Sequence, residues 1–258
     1  MTFAALPGAT VAAILLAVAV GCALQRLCGM GVGLVVAPTL SIVLGPATGV
    51  VLTNGTTVVS ATVIGLALWR AADWRRLAVI LPVAVLGAVP GALVVRAVPT
   101  AWLEVIVGAT VCLGLVTTWL IARFDRLPVL TGRGSTAAAG VIGAFLNTTA
   151  GIAAPAMVVY GALTRWEQRS FAASMQFTFL VMGLLSVATK VALGATPLDS
   201  LPDPRVFAAM ILTVLIVVAL VGKVAHRVPA HQARRLAVAL AGTGALVTLG
   251  RGVVHLLG

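Results

Sequence analysis

The chain has 258 residues, of which 61% are hydrophobic and only 9% are charged, and its mean hydropathy is +1.16. So few charges could not cover the core of a soluble protein of this length, which indicates an all-α protein that crosses a membrane several times. The net charge of +11 comes from basic residues in short loops between apolar stretches. That placement argues against a nucleic-acid partner and is typical of a topology signal in a bilayer.

Ten apolar runs, taken in chain order, predict the membrane elements. They cover residues 9–25, 30–44, 48–69, 76–95, 101–122, 135–149, 151–163, 170–193, 205–222 and 235–254. The first two runs in each set of five are short. A 15-residue helix is about 22 Å long, whereas the hydrocarbon core is roughly 30 Å thick. Each short pair could therefore form a re-entrant hairpin, two short packed spans or one broken span.

The basic residues favour one topology. If each short pair crosses twice or returns to its own side, twelve basic residues fall on one face: Arg70, Arg75, Arg76, Arg123, Arg126, Arg133, Arg165, Arg169, Lys223, Arg227, Arg234 and Arg235. Four fall on the other face, namely Arg96, Lys190, Arg205 and Arg251, and Arg26 is undecided. A single span per pair would split these sixteen residues seven against nine. The positive-inside rule therefore favours the first arrangement, with both termini outside and the basic loops in the cytoplasm.

Aromatic and charged residues at the ends of the runs support this arrangement. Four tryptophans fall near the predicted inner boundary, Trp69, Trp74, Trp119 and Trp166, and Trp102 falls near the outer one. Tryptophan favours such interfaces, and Lys190 is expected to extend its ammonium outward from its helix end.

The odd number of elements in each half makes the two halves antiparallel. The sequence therefore predicts an inverted repeat of two five-segment halves, each with a broken or re-entrant first helix. The first repeat covers residues 1–126, a cytoplasmic linker covers 127–133, and the second repeat covers 134–258.

Two breaks rich in small residues interrupt the apolar runs at matching places, over residues 28–38 and 147–155. Broken helices at corresponding points of two repeats are the best sequence pointer to a transport site. Helix N-termini carry partial positive charge, and glycine lets an anion approach the backbone closely. The candidate residues at the breaks are Gly29, Gly31, Gly33, Asn147, Thr148 and Thr149. The alternative is that small residues only allow close helix packing.

The repeat extends into the next apolar run of each half. Asn54 and Thr56 correspond to Gln176 and Thr178, with Thr57 beside the first pair, so two carboxamides are predicted to face each other across the pseudo-twofold axis. They could contact substrate or hydrogen-bond the helices to each other.

The role of Arg26 also has two alternatives. At the tip of a re-entrant hairpin it would lie near the midplane and suggest a functional site, whereas at the end of a full span it would lie at the interface.

The residues for enzymatic chemistry are missing from this pattern. No histidine or carboxylate lies deep in a predicted span, and serine, histidine and acidic residues do not meet at a catalytic spacing. The three cysteines, Cys22, Cys28 and Cys112, show no CxxC spacing, so we expect no metal site and no cofactor. The sequence also has no Walker motif, so ATP is not its own energy source. A transporter is therefore expected rather than an enzyme.

The breaks carry a family resemblance. Gly29, Gly31, Gly33 and Pro38 follow the pattern G-x-G-G-G-x-x-x-x-P with Val32 in place of one glycine. The turn at Asp73-Trp74 and, in the second half, Gly151, Pro155, Tyr160 and Arg169 follow the same family. Across nearly its whole length the chain resembles the sulfite exporter TauE/SafE family of membrane permeases. Asn147-Thr148-Thr149 and Ala153-Ala154 stand where glycines are commoner in that family, which bears on the substrate more than on the fold.

The resemblance implies a multi-pass carrier of the inner cell membrane that exports sulfur-containing anions such as sulfite, sulfoacetate or other organosulfonates. Together with the breaks it predicts a secondary transporter that works by alternating access. Its expected partners are the anion and the bilayer, and the sequence leaves a homodimer open. The alternative is a channel or carrier for another small solute, such as a carboxylate or a metal ion. The expected substrate-binding residues are Arg26, Gly29, Gly31, Gly33, Asn54, Thr57, Asn147, Thr148, Thr149 and Gln176.

Overall fold

The computed structural model describes residues 6–121, 123, 129–196, 201–224 and 230–257. Within them lie ten α-helices: α1 (Gly8–Cys28), α2 (Ala37–Leu44), α3 (Pro46–Leu68), α4 (Trp74–Ala97), α5 (Thr100–Ile121), α6 (Arg133–Ala150), α7 (Ala154–Leu163), α8 (Gln168–Ala192), α9 (Pro204–Val224) and α10 (Ala230–Leu257). Seven of these described helices, α1, α3, α4, α5, α8, α9 and α10, are long and apolar enough to cross a membrane. The prediction of an all-α polytopic membrane protein is confirmed.

Glycine ends the helix before each break. α1 stops at Gly29 (φ 79°) and α6 stops at Gly151 (φ 75°), both in the left-handed region that side chains disfavour. In each case the glycine N–H donates to a carbonyl four residues earlier, on Gln25 and Asn147. After the first break, a π-helical turn over Val32–Val36 leads into α2. After the second break, the chain enters α7 directly.

The first short pair is a hairpin that returns to its starting end. Ile14 of α1 shares an apolar cluster with Leu6 and with Val43 and Leu44 at the end of α2. Arg251, in the last turns of α10, donates to the Ile42 carbonyl at the same end, over 2.6 Å. One broken span is therefore excluded for this pair.

The second short pair is also a hairpin. The Leu130 N–H, just before α6, donates to the Leu163 carbonyl at the end of α7, over 2.8 Å. The hydroxyls of Thr136 and Tyr160 lie 2.7 Å apart one turn further in. This hairpin begins and ends beside Arg133 and Arg165, at the end of the molecule that we call the basic end.

Helices at the same place in the two halves pack against each other and run antiparallel. A Cβ on Gly183 of α8 would contact Asn54 and Val58 of α3, whereas Gly65 of α3 lies against Gln176 of α8. The pair α5 and α10 behaves in the same way, because Gly108 meets Ala245 and Leu249 while Gly252 meets Ala101 and Val105.

Contacts between other helices also join the two halves. α4 packs on α6 through Gly87 and Gly140, and α9 packs on α1. Small residues let these backbones approach closely, as is usual between membrane helices. Both halves thus contribute to one core, and the repeat boundaries stay a prediction. Of the predicted linker 127–133, Arg133 begins α6, and residues 127 and 128 lie, like Arg126, outside the described chain.

One expectation about a single residue, the outward extension of Lys190, is wrong. Trp69, Trp74, Trp102 and Trp119 are about half exposed, as anchors at an interface would be, whereas Trp166, in the turn between α7 and α8 at the basic end, is buried. Trp166 packs edge-on against Tyr160 and Phe171, with the Arg76 guanidinium carbon 4.4 Å from its ring centre. Lys190 does not extend outward, because its side chain is 0% exposed inside the helix bundle.

Candidate functional site

A small cavity of about 20 Å³ lies where the two breaks meet, and we call it the central chamber. The first break contributes Met30, Gly31, Gly33 and Leu34, and the second contributes Gly151, Ile152, Ala153 and Ala154. Polar side chains from three helices reach it as well, Gln25 of α1, Thr57 of α3 and Asn147 of α6, and Phe179 of α8 completes the lining. Four of the residues expected from the sequence therefore share one cavity: Gly31, Gly33, Thr57 and Asn147.

The chamber depends on close backbone contact between the breaks. A Cβ on Gly33 would lie 2.6 Å from the Gly151 carbonyl oxygen, and one on Gly31 would lie 2.5 Å from the Gln25 backbone nitrogen. Real Cβ atoms do not approach backbone atoms this closely. These contacts support the explanation that Gly31 and Gly33 allow close helix packing. Because neither residue has a side chain, the backbone is also exposed at the chamber wall.

Two helices begin at or next to residues of the chamber wall. One helix starts at Val32 and continues to Leu44, and α7 starts at Ala154. The first hydrogen bonds of these helices run from the Val35 N–H to the Gly31 carbonyl and from the Met157 N–H to the Ala153 carbonyl. The N–H groups of the preceding turn have no partner within their helix and carry partial positive charge. Such ends favour anions.

Two pairs of carboxamides flank the chamber, and all four side chains are at most 3% exposed. The Gln25 Nε2 group donates to Gln176 Oε1 over 3.1 Å, and Gln176 Nε2 donates to the carbonyl of Ala172 in its own helix. The Asn147 Nδ2 group donates to Asn54 Oδ1 over 2.8 Å. Asn54 Nδ2 in turn donates to Ser186 Oγ over 2.9 Å and to the backbone carbonyl of Asn147 over 3.3 Å.

The pairing differs from the one expected. Asn54 and Gln176 do not bond to each other, because each bonds to a carboxamide on the first helix of the opposite half. Sequence reasoning missed Gln25 altogether. The signal was present, since Gln25 stands four residues before Gly29 just as Asn147 stands four residues before Gly151.

A larger cavity of about 620 Å³, which we call the vestibule, opens from the Gln25–Gln176 pair toward the basic end. Arg26, Cys28, Gly29 and Arg165 line it, together with residues at the start of α8. No acidic side chain is among its lining residues in the described chain. The Arg26 guanidinium lies beside Gly222 in the last turn of α9, which places Arg26 near the basic end rather than at the midplane.

Of the three expected threonines, Thr57 and Thr149 donate within their own helices and Thr148 does not. The Thr57 hydroxyl lines the chamber but donates to the Thr53 carbonyl of its own helix. Thr149 donates to the Phe145 carbonyl in the same way. Thr148 is fully buried against Gly91 of α4, and its hydroxyl has no partner among the described groups. Thr148 and Thr149 line neither the chamber nor the vestibule.

A further cavity, of about 980 Å³, lies elsewhere at the basic end. Arg75, Arg76 and Arg133 line it together with Asp73 and Tyr160, and it includes no residue of either break. Its size alone does not make it the site, because the backbone donors and the buried carboxamides are gathered at the chamber instead.

A family model described as "Sulfite exporter TauE/SafE" matches residues 13–248 of the chain. The match therefore includes both breaks, both carboxamide pairs and Lys190. No curated protein matches the chain, and no solved structure matches it.

Proposed function

Because the chain belongs to the sulfite exporter TauE/SafE family, a family of membrane transporters for sulfite-type anions, we propose that it exports sulfite or a small organosulfonate. The proposed mechanism is alternating access across the cell membrane, with the central chamber as the substrate site. The proposed substrate-binding groups are the backbone at Gly31, Gly33 and Gly151 and the side chains of Gln25 and Asn147.

The observation that carries this proposal is the meeting of two helix N-termini and two carboxamides at one chamber. Sulfite and sulfonates have oxygen atoms that accept hydrogen bonds, whereas N–H groups of the backbone and of carboxamides donate them. Hydrogen bonds to an ionised acceptor are stronger than neutral ones. The chamber and the vestibule have no acidic lining among the described residues, and Arg26 and Arg165 make the approach favourable for an anion.

The size of the chamber indicates which part must move. A volume of about 20 Å³ holds one water molecule, which is too little for an ion with one sulfur and three oxygens. The vestibule is large enough, and the Gln25–Gln176 hydrogen bond separates it from the chamber. Breaking that bond would join the two spaces and admit the anion from the basic end. On the far side, the Asn54–Asn147 pair would open in the other state of the carrier.

Three features support an inverted repeat as the basis of this exchange. The two hairpins return to opposite ends, the helix pairs α3/α8 and α5/α10 run antiparallel, and each half contributes one member to both carboxamide pairs. We accordingly propose repeats at 1–126 and 134–258 with the basic end in the cytoplasm. A homodimer stays a prediction from the sequence.

Flux into proteoliposomes tests the proposal. We expect saturable transport of sulfite or sulfoacetate, and little transport of acetate. Gln25→Ala should reduce the flux strongly, whereas Gln232→Ala, the same change at an exposed position on α10, should not. Transport of acetate without any transport of sulfur-containing anions would contradict the proposed substrate class.

A further inference from the structure

Lys190 has a buried amine that the proposed site does not use. Its side chain is 0% exposed, and its Nζ has no hydrogen-bond partner within the described part of the chain. No carboxylate of the described residues lies within ion-pair distance of it either. Lys190 is 22 residues beyond Gln168, a vestibule residue, and this separation corresponds to about 33 Å along α8. It therefore lies at the end of the bundle opposite the vestibule.

Buried polar groups lead from the central chamber to Lys190. Asn147 lines the chamber and bonds to Asn54, and Asn54 bonds to Ser186. Ser186 precedes Lys190 by four residues on the same helix, so the two side chains lie on one face one turn apart. The antiparallel contact of α3 with α8 also places Lys190 level with the first turns of α3.

Other unsatisfied hydrogen-bonding groups lie at this end. Among the described residues, buried side-chain atoms without a partner occur on Ser41, Thr148, Lys190 and Thr196. Thr196 lies four residues beyond the end of α8, and Ser41 belongs to α2, with its backbone against Gly49 in the first turn of α3. Three of the four unpartnered groups are thus at the end of the molecule away from the vestibule.

An unpaired ammonium inside a membrane protein is costly, and such groups usually serve a substrate or ion pathway. Among the described residues, neither a carboxylate nor a hydrogen bond offsets the desolvation of this lysine, so burial alone gives the protein no stability from it. An oxyanion would supply the missing acceptor for the ammonium and for a neighbouring hydroxyl. Hydrophobic packing alone does not account for a lysine here, since methionine would fill similar space without a charge.

We propose that Lys190 is a second anion-binding residue, which receives the sulfur oxyanion after it passes the Asn54–Asn147 pair. The proposal rests on the transport function proposed above. In the state described here the Asn54–Asn147 pair separates Lys190 from the chamber. Once that pair opens, the ammonium and the chamber donors form one path to the outer face.

The test compares Lys190→Met and Lys190→Arg with Lys223→Met, which removes an exposed lysine at the basic end of α9. Sulfite flux is measured in proteoliposomes, with sulfite presented in turn at each face. A membrane-impermeant thiol reagent on Cys28 silences molecules of one orientation. We expect Lys190→Met to raise KM at the outer face about ten- to a hundredfold, as loss of a hydrogen bond to a charged group does. The KM at the basic end should change less than twofold, and Lys190→Arg should restore most of the outer affinity.

The melting temperature separates binding from structure. Because Lys190→Met removes a buried unpaired charge, we expect an equal or higher melting temperature than in the wild type. An unchanged outer KM in Lys190→Met, or an equal rise at both faces with a lower melting temperature, would overturn the role of Lys190. Neither result affects the proposed transport function, which fails only if the wild-type protein carries no sulfur oxyanion.

Discussion

The two carboxamide pairs occupy equivalent places in the two halves but differ in how firmly they are held. The Asn54–Asn147 pair is fastened by three hydrogen bonds, two between the asparagines and one to Ser186. The Gln25–Gln176 pair has one bond between its side chains, and Gln176 uses its other group within its own helix. The loosely held pair borders the vestibule. The number of hydrogen bonds in each carboxamide pair can therefore decide which end of two nearly equivalent halves is open.

The two breaks also differ in how they allow close approach. The first uses Gly31 and Gly33, and the second uses a single left-handed glycine, Gly151, after two threonines. Glycine is needed where backbone meets backbone, as at the contact of Gly33 with the Gly151 carbonyl. Where the helix surface faces another helix, the threonines of the second break fit equally well. A side chain is therefore excluded at the crossing point of the breaks, and also at Gly31, where it would meet the backbone of α1.

The largest effect should come from breaking this crossing point. Gly33→Leu would push a side chain into the Gly151 carbonyl, and even Gly33→Ala should cost about 1–3 kcal/mol of unfolding free energy. Because the clash is with backbone, the contact predicts lost stability together with lost transport. Membrane abundance and melting temperature measure this.

Gly55→Ala is the matched control for Gly33. Its new Cβ would lie 3.8 Å from the Phe207 ring, which is an ordinary contact, so stability should be kept. Normal abundance and flux in Gly33→Leu would contradict the close approach of the two breaks.

The next effect concerns the asymmetry of the carboxamide pairs. Asn54→Ala leaves the Asn147 amide and the Ser186 hydroxyl without their partner, so we expect a loss of about 1–3 kcal/mol. Gln176→Ala removes one interhelical bond, for which about 0.6 kcal/mol is typical in membranes. Because Asn54 lines neither the chamber nor the vestibule, its loss should also change stability more than substrate affinity. A lower melting temperature for Gln176→Ala than for Asn54→Ala would contradict this difference between the two pairs.

A smaller effect tests which end is open. Cys28 lines the vestibule and is half-buried, whereas Cys22, two turns earlier in α1, is 0% exposed. An impermeant thiol reagent should modify Cys28 from the basic end alone and leave Cys22 unmodified. Sulfite should slow that modification a few-fold if it occupies the vestibule. Mass spectrometry of the labelled peptides provides the measurement, and labelling from the opposite face would contradict the open end.

The sequence was sufficient for the fold but not for the orientation of side chains. Apolar runs and basic loops report where the chain crosses a bilayer, and the breaks marked the chamber through Gly31, Gly33 and Asn147. Membrane helices are apolar on all sides, so their sequences do not reveal which face is buried. For that reason Lys190 was expected to extend outward although its side chain is buried. Gln25 was overlooked beside the charge of Arg26, although its spacing from Gly29 matches that of Asn147 from Gly151.

The smallest expected effect separates two threonines that the sequence grouped as binding residues. Thr148→Val keeps the volume and removes a buried hydroxyl without a partner, so stability should rise by up to about 1 kcal/mol and sulfite flux should be unchanged. Thr57→Val makes the same change at the chamber wall, where flux should fall a few-fold because it removes the hydroxyl that would turn from the Thr53 carbonyl to the anion. Parallel flux and melting measurements on the two variants check this. If Thr148→Val lowers sulfite affinity as much as Thr57→Val does, the Thr148 hydroxyl must reach the anion in another state, and the second break would then resemble the first in exposing its small residues to substrate.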